Sequence, residues 1–372
     1  MTKILISGYY GFHNIGDESI LQAVVNSLRE QLSDIEITVL SQSPASTKDK
    51  YGVDSIDRKS LWKVMKAIKN HDLLISGGGS LLQDVTSRKS IYYYLAIMWM
   101  ACFFRKDFFI YSQGIGPIYS RWNRVLTGKT LKKASGIVVR DQASKELLKE
   151  MGVPQERVII TADPVLRIEP VSLEIGKKIL ENEGFQREPG RKVVGFAIKE
   201  KQLDSPFVKE LEKSIRVLVE EKNCQVVLIP FHYKEDVQVI EEMERRLSNR
   251  VFAVKNKYLT NEMLSLIGNM DVLVGVRLHA LIHGAIMGVK LIGVSYDPKI
   301  NAFLGSIGLK ALSTTLDFQT RFFLEEMERL WEPDYEETEK IVKVRVKELV
   351  RSLSINEEMI QKIIDGRRAK SQ

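Results

Sequence analysis

The sequence predicts an α/β protein of two Rossmann-like domains with helices at the carboxyl end, and three observations predict it. At 372 residues the chain exceeds what a single hydrophobic core usually organises, so two domains are expected. Short β-branched apolar runs alternate with helical patterns as far as Ser295, as right-handed βαβ units in parallel sheets require. The stretch Pro164–Arg191, with Pro164, Pro170 and Pro189, breaks that rhythm before a second alternation begins.

The elements follow in order. Lys3–Ser7 (KILIS) has the near-continuous apolar character of a strand buried on both faces. Strands are expected next at Ile35–Ser41, Leu73–Ser76, Phe108–Ser112, Gly136–Arg140 and Val158–Ala162. Between them fall helical patterns at Asp17–Leu32, Leu61–Asn70, Ser90–Phe104, Arg121–Lys133 and Gln142–Met151. The second alternation places strands at Val193–Ile198, Gln225–Pro230, Val251–Val254, Val272–Val276 and Leu291–Ser295. After about Leu316 the chain reads as helix only, through FFLEEMERLW and Tyr335–Leu353, and Arg367–Gln372 is expected to fray. The expected domains are 1–168, 190–316, and a helical tail 317–372 packing back on the first.

Composition narrows the function classes. With 44% apolar and 28% charged residues the chain is globular rather than disordered or fibrous. The net charge of +7 is mild, and basic residues alternate with acidic ones, as in EEMERRLSNR. No aromatic-studded basic strip is apparent, so nucleic acid is not an expected partner. A modest basic excess suits approach to anionic phospholipid or phosphorylated substrates. Two cysteines, Cys102 and Cys224, sit in or beside apolar runs and read as inert thiols of a reducing cytoplasm. The apolar run of MTKILISGYY is too short for a signal peptide. Ile91–Phe104 would span about 21 Å as helix, short of a bilayer core; it reads as a buried helix or as shallow contact with a membrane surface.

The most informative stretch is Val272–Gly284, VLVGVRLHALIHG. Its strand stops at Gly275-Val276-Arg277, and small and apolar residues at helical spacing follow. Arg277 and His279 are therefore expected at a strand's carboxyl end and a helix's amino end, where ligands bind in open α/β sheets. Helix N–H groups, a permanent cation and an imidazole suit an anionic substrate. His279 and His283 share a helix face, but no third ligand is near and HExxH is absent, so no metal is expected and His283 reads as core.

Three glycine-bearing turns follow strands in the first half. The first, GYYGFHNIGDE, offers Gly8, Gly11, Asn14 and Gly16 as backbone or side-chain contacts to a ligand. Asp17 within it reads either as a catalytic carboxylate or as a charge complementing the helix dipole, and His13 and Asn14 read equally as cap or turn residues. The spacing is not G-x-G-x-x-G and no Walker lysine follows, so dinucleotide and nucleoside-triphosphate fingerprints are absent. The second, SGGGSLLQD, brings Gly78 and Gly79 close to something, with Gln83 and Asp84 bonding sugar hydroxyls or merely neighbouring backbone. The third, SQGIGP, offers Gln113 and Gly114. Arg140 is a second candidate anion clamp, with Asp141 neutralising it or capping the next helix. His232, Tyr296 and Lys299 follow strands of the second half, Lys299 being a third possible cation. No Ser-His-Asp set or nucleophile elbow is present.

At these residues the chain resembles the polysaccharide pyruvyl transferase family, and within it the cell-wall-polymer branch, the CsaB type. The runs that carry the resemblance are GYYGFHNIGDES, SGGGSLLQD, SQGIGP, VVRDQAS, TADPV, GVRLHALIHG and SYDPK, spread over both halves of the chain. The resemblance implies a GT-B-like fold, two Rossmann-like domains facing a central cleft, with the acceptor side first and the donor side second. It implies transfer of pyruvate from phosphoenolpyruvate to a sugar as a ketal, without metal or organic cofactor. The implied acceptor is β-N-acetylmannosamine of a lipid-linked secondary cell-wall polymer precursor, the product a 4,6-pyruvate ketal that serves S-layer anchoring. Arg277 would then clamp the anion, His279 would act at the reacting carbon or phosphate, and Asp17 would be the base. Such an enzyme is expected in the cytoplasm, with peripheral membrane contact at the inner face. Two other readings stay open: a GT-B glycosyltransferase using a nucleotide-sugar, for which Asp297 is the obvious ribose ligand, and a non-catalytic protein binding an anionic sugar.

Overall fold

The structure is a computed structural model that describes residues 1–85, 89–200, 202–248 and 250–371. The chain divides into two compact units, Met1–Arg167 with Leu349–Gln372, and Ile168–Glu348.

Unit one opens with β1 (Thr2–Ser7), α1 (Ile15–Gln31), β2 (Ile35–Ser41), α2 (Pro44–Tyr51) and β3 (Asp54–Asp57). Then come α3 (Leu61–Asn70), β4 (Leu73–Ser76), β5 (Gly79–Leu82) and α4 (Ser90–Phe103). It continues with β6 (Asp107–Ile115), α5 (Arg121–Leu131), β7 (Gly136–Val139), α6 (Gln142–Glu150) and β8 (Val158–Ile160). The strands lie in the order β3-β2-β1-β4-β6-β7-β8, with β5 added beside β6, and every described pairing is parallel. This is the doubly wound order, which reverses direction between β1 and β4. Right-handed crossovers then put α3 to α6 on one face, where Val64, Ile68, Leu95, Met98, Leu131 and Leu148 join one apolar cluster.

Unit two runs α7 (Leu173–Glu183), β9 (Val193–Ala197), α8 (Pro206–Glu220), β10 (Gln225–Leu228), α9 (Tyr233–Arg246) and β11 (Phe252–Ala253). It continues α10 (Thr260–Gly268), β12 (Val272–Gly275), α11 (Leu278–Met287), β13 (Lys290–Ser295), α12 (Pro298–Ser306), β14 (Ser313–Thr314) and α13 (Thr320–Arg329). The sheet order β11-β10-β9-β12-β13-β14 repeats the same winding, again all parallel. The fold is the expected one: doubly wound α/β units followed by terminal helices α14 (Tyr335–Ser352) and α15 (Ser354–Ser371).

The helical tail corrects the expected partition. Residues 317–348 group with unit two, where Phe323, Met327 and Leu330 of the α13 region and Tyr335 enter the apolar core. Only the stretch from Leu349 joins unit one. There Glu357, 1% exposed, accepts from Ser27 Oγ (2.8 Å), Arg167 (3.0 Å) and the Tyr111 hydroxyl, while Asn356 donates to Ser112 Oγ at 2.8 Å. Within the stretch expected to fray, Arg367 donates to the Asp72 carbonyl and lies 3.3 Å from Asp107, and Arg368 lies 3.5 Å from Asp34. Gln372 lies outside the described residues.

Elements not foreseen share a physical reason, an absent or misleading apolar signal. β3 reads DSID, a polar edge strand with nothing to alternate. α7 sits inside the proline-bearing break, started by Ser172, whose Oγ accepts from Glu174 N at 3.3 Å, and stopped by Gly184 in the left-handed region. β5 falls within the triple-glycine run that reads as a loop.

Glu357→Ala would leave Arg167 and Tyr111 without their buried carboxylate. A loss of about 3 kcal/mol is expected in urea unfolding of the intact chain, whereas an unchanged midpoint would show that α15 docks by its apolar side chains alone.

Candidate active site

In each sheet all strands point the same way, so their carboxyl ends gather at one edge. At the edge of unit two the registers align four of those ends. Leu228 pairs with Phe196, Gly275 with Ala197, and Gly275 with Gly293, so the residues after β10, β9, β12 and β13 are neighbours.

Arg277 is the residue before α11, in extended backbone, as its place between strand and helix predicts. Its guanidinium is 15% exposed and donates to Asp236 Oδ1, with Glu235 at 3.9 Å. Asp236 is buried, and its other oxygen accepts the amides of Phe231 (3.0 Å) and His232 (2.7 Å). One carboxylate therefore ties the turn after β10 to the arginine after β12 and fixes the direction of its planar fork. The Nε of Arg277 is buried and has no hydrogen-bond partner among the described residues. His279, half-buried, lies in the first turn of α11, whose leading amides point toward the same edge. His232 begins α9 with Nδ1 3.4 Å from Glu235.

The end of β13 adds Tyr296, with Lys199 Nζ 3.8 Å and Lys299 Nζ 5.7 Å from its ring centre. Lys299 is not a free cation: Asp297 Oδ2 stands 3.1 Å away, while Asp297 Oδ1 caps α12 through the Lys299 amide at 3.1 Å. His283 is fully buried against Phe231, rings 5.5 Å apart, and burial, with the neighbouring His279, pulls its pKa down to about 3. It is a core residue. Among the described residues no group of three or more His, Cys, Asp or Glu is placed to hold a metal. Burial pushes both thiols up in pKa.

At the edge of unit one the three glycine turns do meet, but most of their glycines make room for this chain's own side chains. A Cβ on Gly8 would lie 2.3 Å from the Tyr10 ring and one on Gly77 2.1 Å from the Tyr10 hydroxyl, so both exist to admit a buried tyrosine. Gly11, at φ +80, faces Ser41 and Ser43 and gives its amide to Glu18 at 2.9 Å. Asn14 caps α1 through the Gly16 amide at 3.1 Å. Gly78 packs on Ile20 and Pro164, and a Cβ on Gly114 would strike the Arg140 guanidinium at 2.7 Å. Gln113 is fully buried, accepting from Ser76 at 3.4 Å, and Gln83 accepts the Val85 amide at 2.7 Å. Asp84 is an internal cap, taking the amides of Tyr119 and Ser120 and the Asn123 side chain at 2.8–2.9 Å. The Arg140 side chain is 5% exposed, lies 2.7 Å from Asp163 and 3.6 Å from Asp141, and bonds Ser80 at 3.0 Å. Its guanidinium is thus held by two carboxylates and a hydroxyl of its own unit, as that of Arg277 is held by Asp236. Asp17 differs: half-buried in the first turn of α1, its Oδ1 lies 3.3 Å from the Cβ position of Gly79, joining the first two motifs.

Sequence reasoning missed Asp236 and Lys199. Asp236 hides within the acidic first turn of α9, where dipole compensation explains it, and only the fold brings it to Arg277. Lys199 follows the expected strand directly, and that position was the available signal.

Residues 14–298 match the model of a family described as polysaccharide pyruvyl transferase. The chain belongs to that family. It is thus a pyruvyltransferase enzyme acting in polysaccharide biosynthesis. A relative, the amylovoran biosynthesis protein AmsJ of Erwinia amylovora, is 20% identical over 84% of this chain and 88% of its own. Among solved structures, UDP-GlcNAc 2-epimerase from Neisseria meningitidis superposes with TM-score 0.65 at 14% identity, covering 97% of this chain and 100% of that one. HepE of Anabaena gives TM-score 0.63 at 12% identity, covering 98% and 99%. These structures share the GT-B-like fold with the family member described here.

Asp236→Asn would leave the Arg277 guanidinium without its buried anion. Urea unfolding should show a loss of roughly 2 kcal/mol, and an unchanged stability would assign the tie to Glu235 instead. His283 stays neutral when folded but protonates when unfolded, so the folded state loses stability as pH falls from 6.5 toward about 3. The slope is at most about 1.4 kcal/mol per pH unit for this one group, and His283→Leu should flatten it in denaturation series at stepped pH.

Proposed function

We propose that this enzyme transfers pyruvate from phosphoenolpyruvate to β-N-acetylmannosamine of a lipid-linked secondary cell-wall polymer precursor, in the manner of the CsaB type, in the cytoplasm. The product is a 4,6-ketal, and phosphate is released. The observation that carries the reading is Arg277, oriented by buried Asp236 at the start of α11, with Lys199 and Lys299 at Tyr296 nearby on the same sheet edge. Phosphoenolpyruvate carries a carboxylate and a phosphate, and a fork-shaped cation, helix amides and ammonium groups are the groups that recognise such an anion.

In the proposed sequence, His279 as imidazolium protonates the methylene carbon, building positive charge at C2. A sugar hydroxyl attacks C2 as its proton passes to a base. The C2–O bond to phosphate breaks, the leaving anion stabilised by Arg277 and the α11 amides, and an oxocarbenium forms. The second hydroxyl then closes the ketal and loses its proton. No step calls for a metal or organic cofactor. Asp297, the candidate ribose ligand of a nucleotide-sugar enzyme, is engaged in capping α12 and pairing Lys299, which favours the pyruvyl donor.

Phosphoenolpyruvate and a synthetic β-N-acetylmannosamine glycoside should together release phosphate and yield a ketal methyl signal in proton NMR. Turnover of a UDP-sugar with no phosphate release from phosphoenolpyruvate would overturn the assignment. Arg277→Ala should lower kcat/KM by at least ~2 kcal/mol of transition-state stabilisation, about thirtyfold. His279→Ala should depress kcat more than it raises KM; a change confined to KM would make His279 a binding group.

A further inference from the structure

The helix face of unit one opposite α1 carries an unusual surface. α4 touches α3 on one side and α5 on the other, so three helices lie side by side over the sheet. Their inward residues form the apolar core, but several of their outward residues are large and apolar too. Trp62 on α3 is 75% exposed, Phe103 on α4 81% and Trp122 on α5 80%, with Tyr92, Trp99 and Val125 also exposed. Three of the four tryptophans of the chain are on this face. α4 has no charged residue at all, and none of the three helices contains an Asp or Glu. Charge enters only as cations, among them Lys63, Lys66 and Lys69 on α3, Arg121 and Lys129 on α5, and Lys132 just beyond it.

We propose that this face docks on a membrane surface containing anionic phospholipid. Exposed tryptophan and phenylalanine are the side chains that enter the headgroup–acyl boundary, each adding apolar burial. Surrounding lysine and arginine supply long-range attraction to anionic headgroups; Arg124 of α5 is paired with Glu150 at 3.0 Å, but the three helices themselves carry no carboxylate to cancel the rest. No helix among the described residues is long and apolar enough to cross a membrane, so the contact is interfacial. A second copy of the chain is disfavoured as occupant, because a two-fold contact would set these cations against themselves. The proposal is independent of the donor assigned above.

The test is sedimentation of the full chain with vesicles of phosphatidylglycerol and phosphatidylcholine, and with phosphatidylcholine alone, without substrate. Retention is expected on the anionic vesicles, weakening in high salt, with a blue shift of tryptophan fluorescence on binding. Trp62→Ala/Phe103→Ala/Trp122→Ala and, separately, Lys63→Glu/Lys66→Glu should each weaken binding about tenfold at unchanged melting temperature. The lysine variant, altered only on exposed side chains, keeps the test valid if the aromatic variant folds poorly. No retention on anionic vesicles, equal retention of the lysine variant, or a dimer in light scattering that the lysine variant strengthens would each overturn the proposal.

Discussion

A parallel strand cannot return by a hairpin, and the rest of this structure depends on that constraint. Each strand must be followed by a crossover, so every carboxyl end of a sheet arrives at one edge and every helix amino end stands beside it. Residues far apart in sequence, such as Lys199, His232, Arg277 and Lys299, become neighbours because they occupy the same place in successive βα units. The cations gather where helix amides already favour negative charge.

Concentrated positive charge at such an edge needs internal counter-charge to hold its geometry, and the two units use carboxylates differently. In unit one Asp163 and Asp141 close around Arg140 until its side chain is 5% exposed. In unit two Asp236 grips one side of Arg277 and two backbone amides with its two oxygens, leaving Nε without a partner among the described residues. An arginine on a short tether of this kind is oriented without being used up, which suits recognition of a planar or tetrahedral anion. The same distinction separates the two histidines of α11: His283 is driven neutral by burial, and His279, one turn earlier, sits half-buried at the helix start.

Much of the architecture was legible in advance because buried parallel strands leave continuous apolar runs, and Ile35–Ser41 and Leu73–Ser76 fall at the expected bounds. Polar or short elements such as β3 and β14 leave no such trace. In the candidate site, VRLH was legible from its position between a strand and a helix, since secondary structure alone puts it at the edge. The glycines misled for a physical reason: a missing Cβ says that something comes close, and only the fold shows that for Gly8 and Gly77 it is Tyr10, and for Gly114 it is Arg140.

The sequence by itself determined what is periodic and local: two doubly wound sheets, the strand-to-helix turns, the family motifs, and the arginine and histidine that open α11. Tertiary structure decided what is pairwise and distant. It chose which arginine is buried against aspartates and which is held at the edge, made Asp236 a tether, and divided the terminal helices between the units. The reason is that periodicity is written along the chain at intervals of two to four residues, whereas the partner of a charge is set by packing between segments that can lie hundreds of residues apart, as Ser27 and Glu357 do.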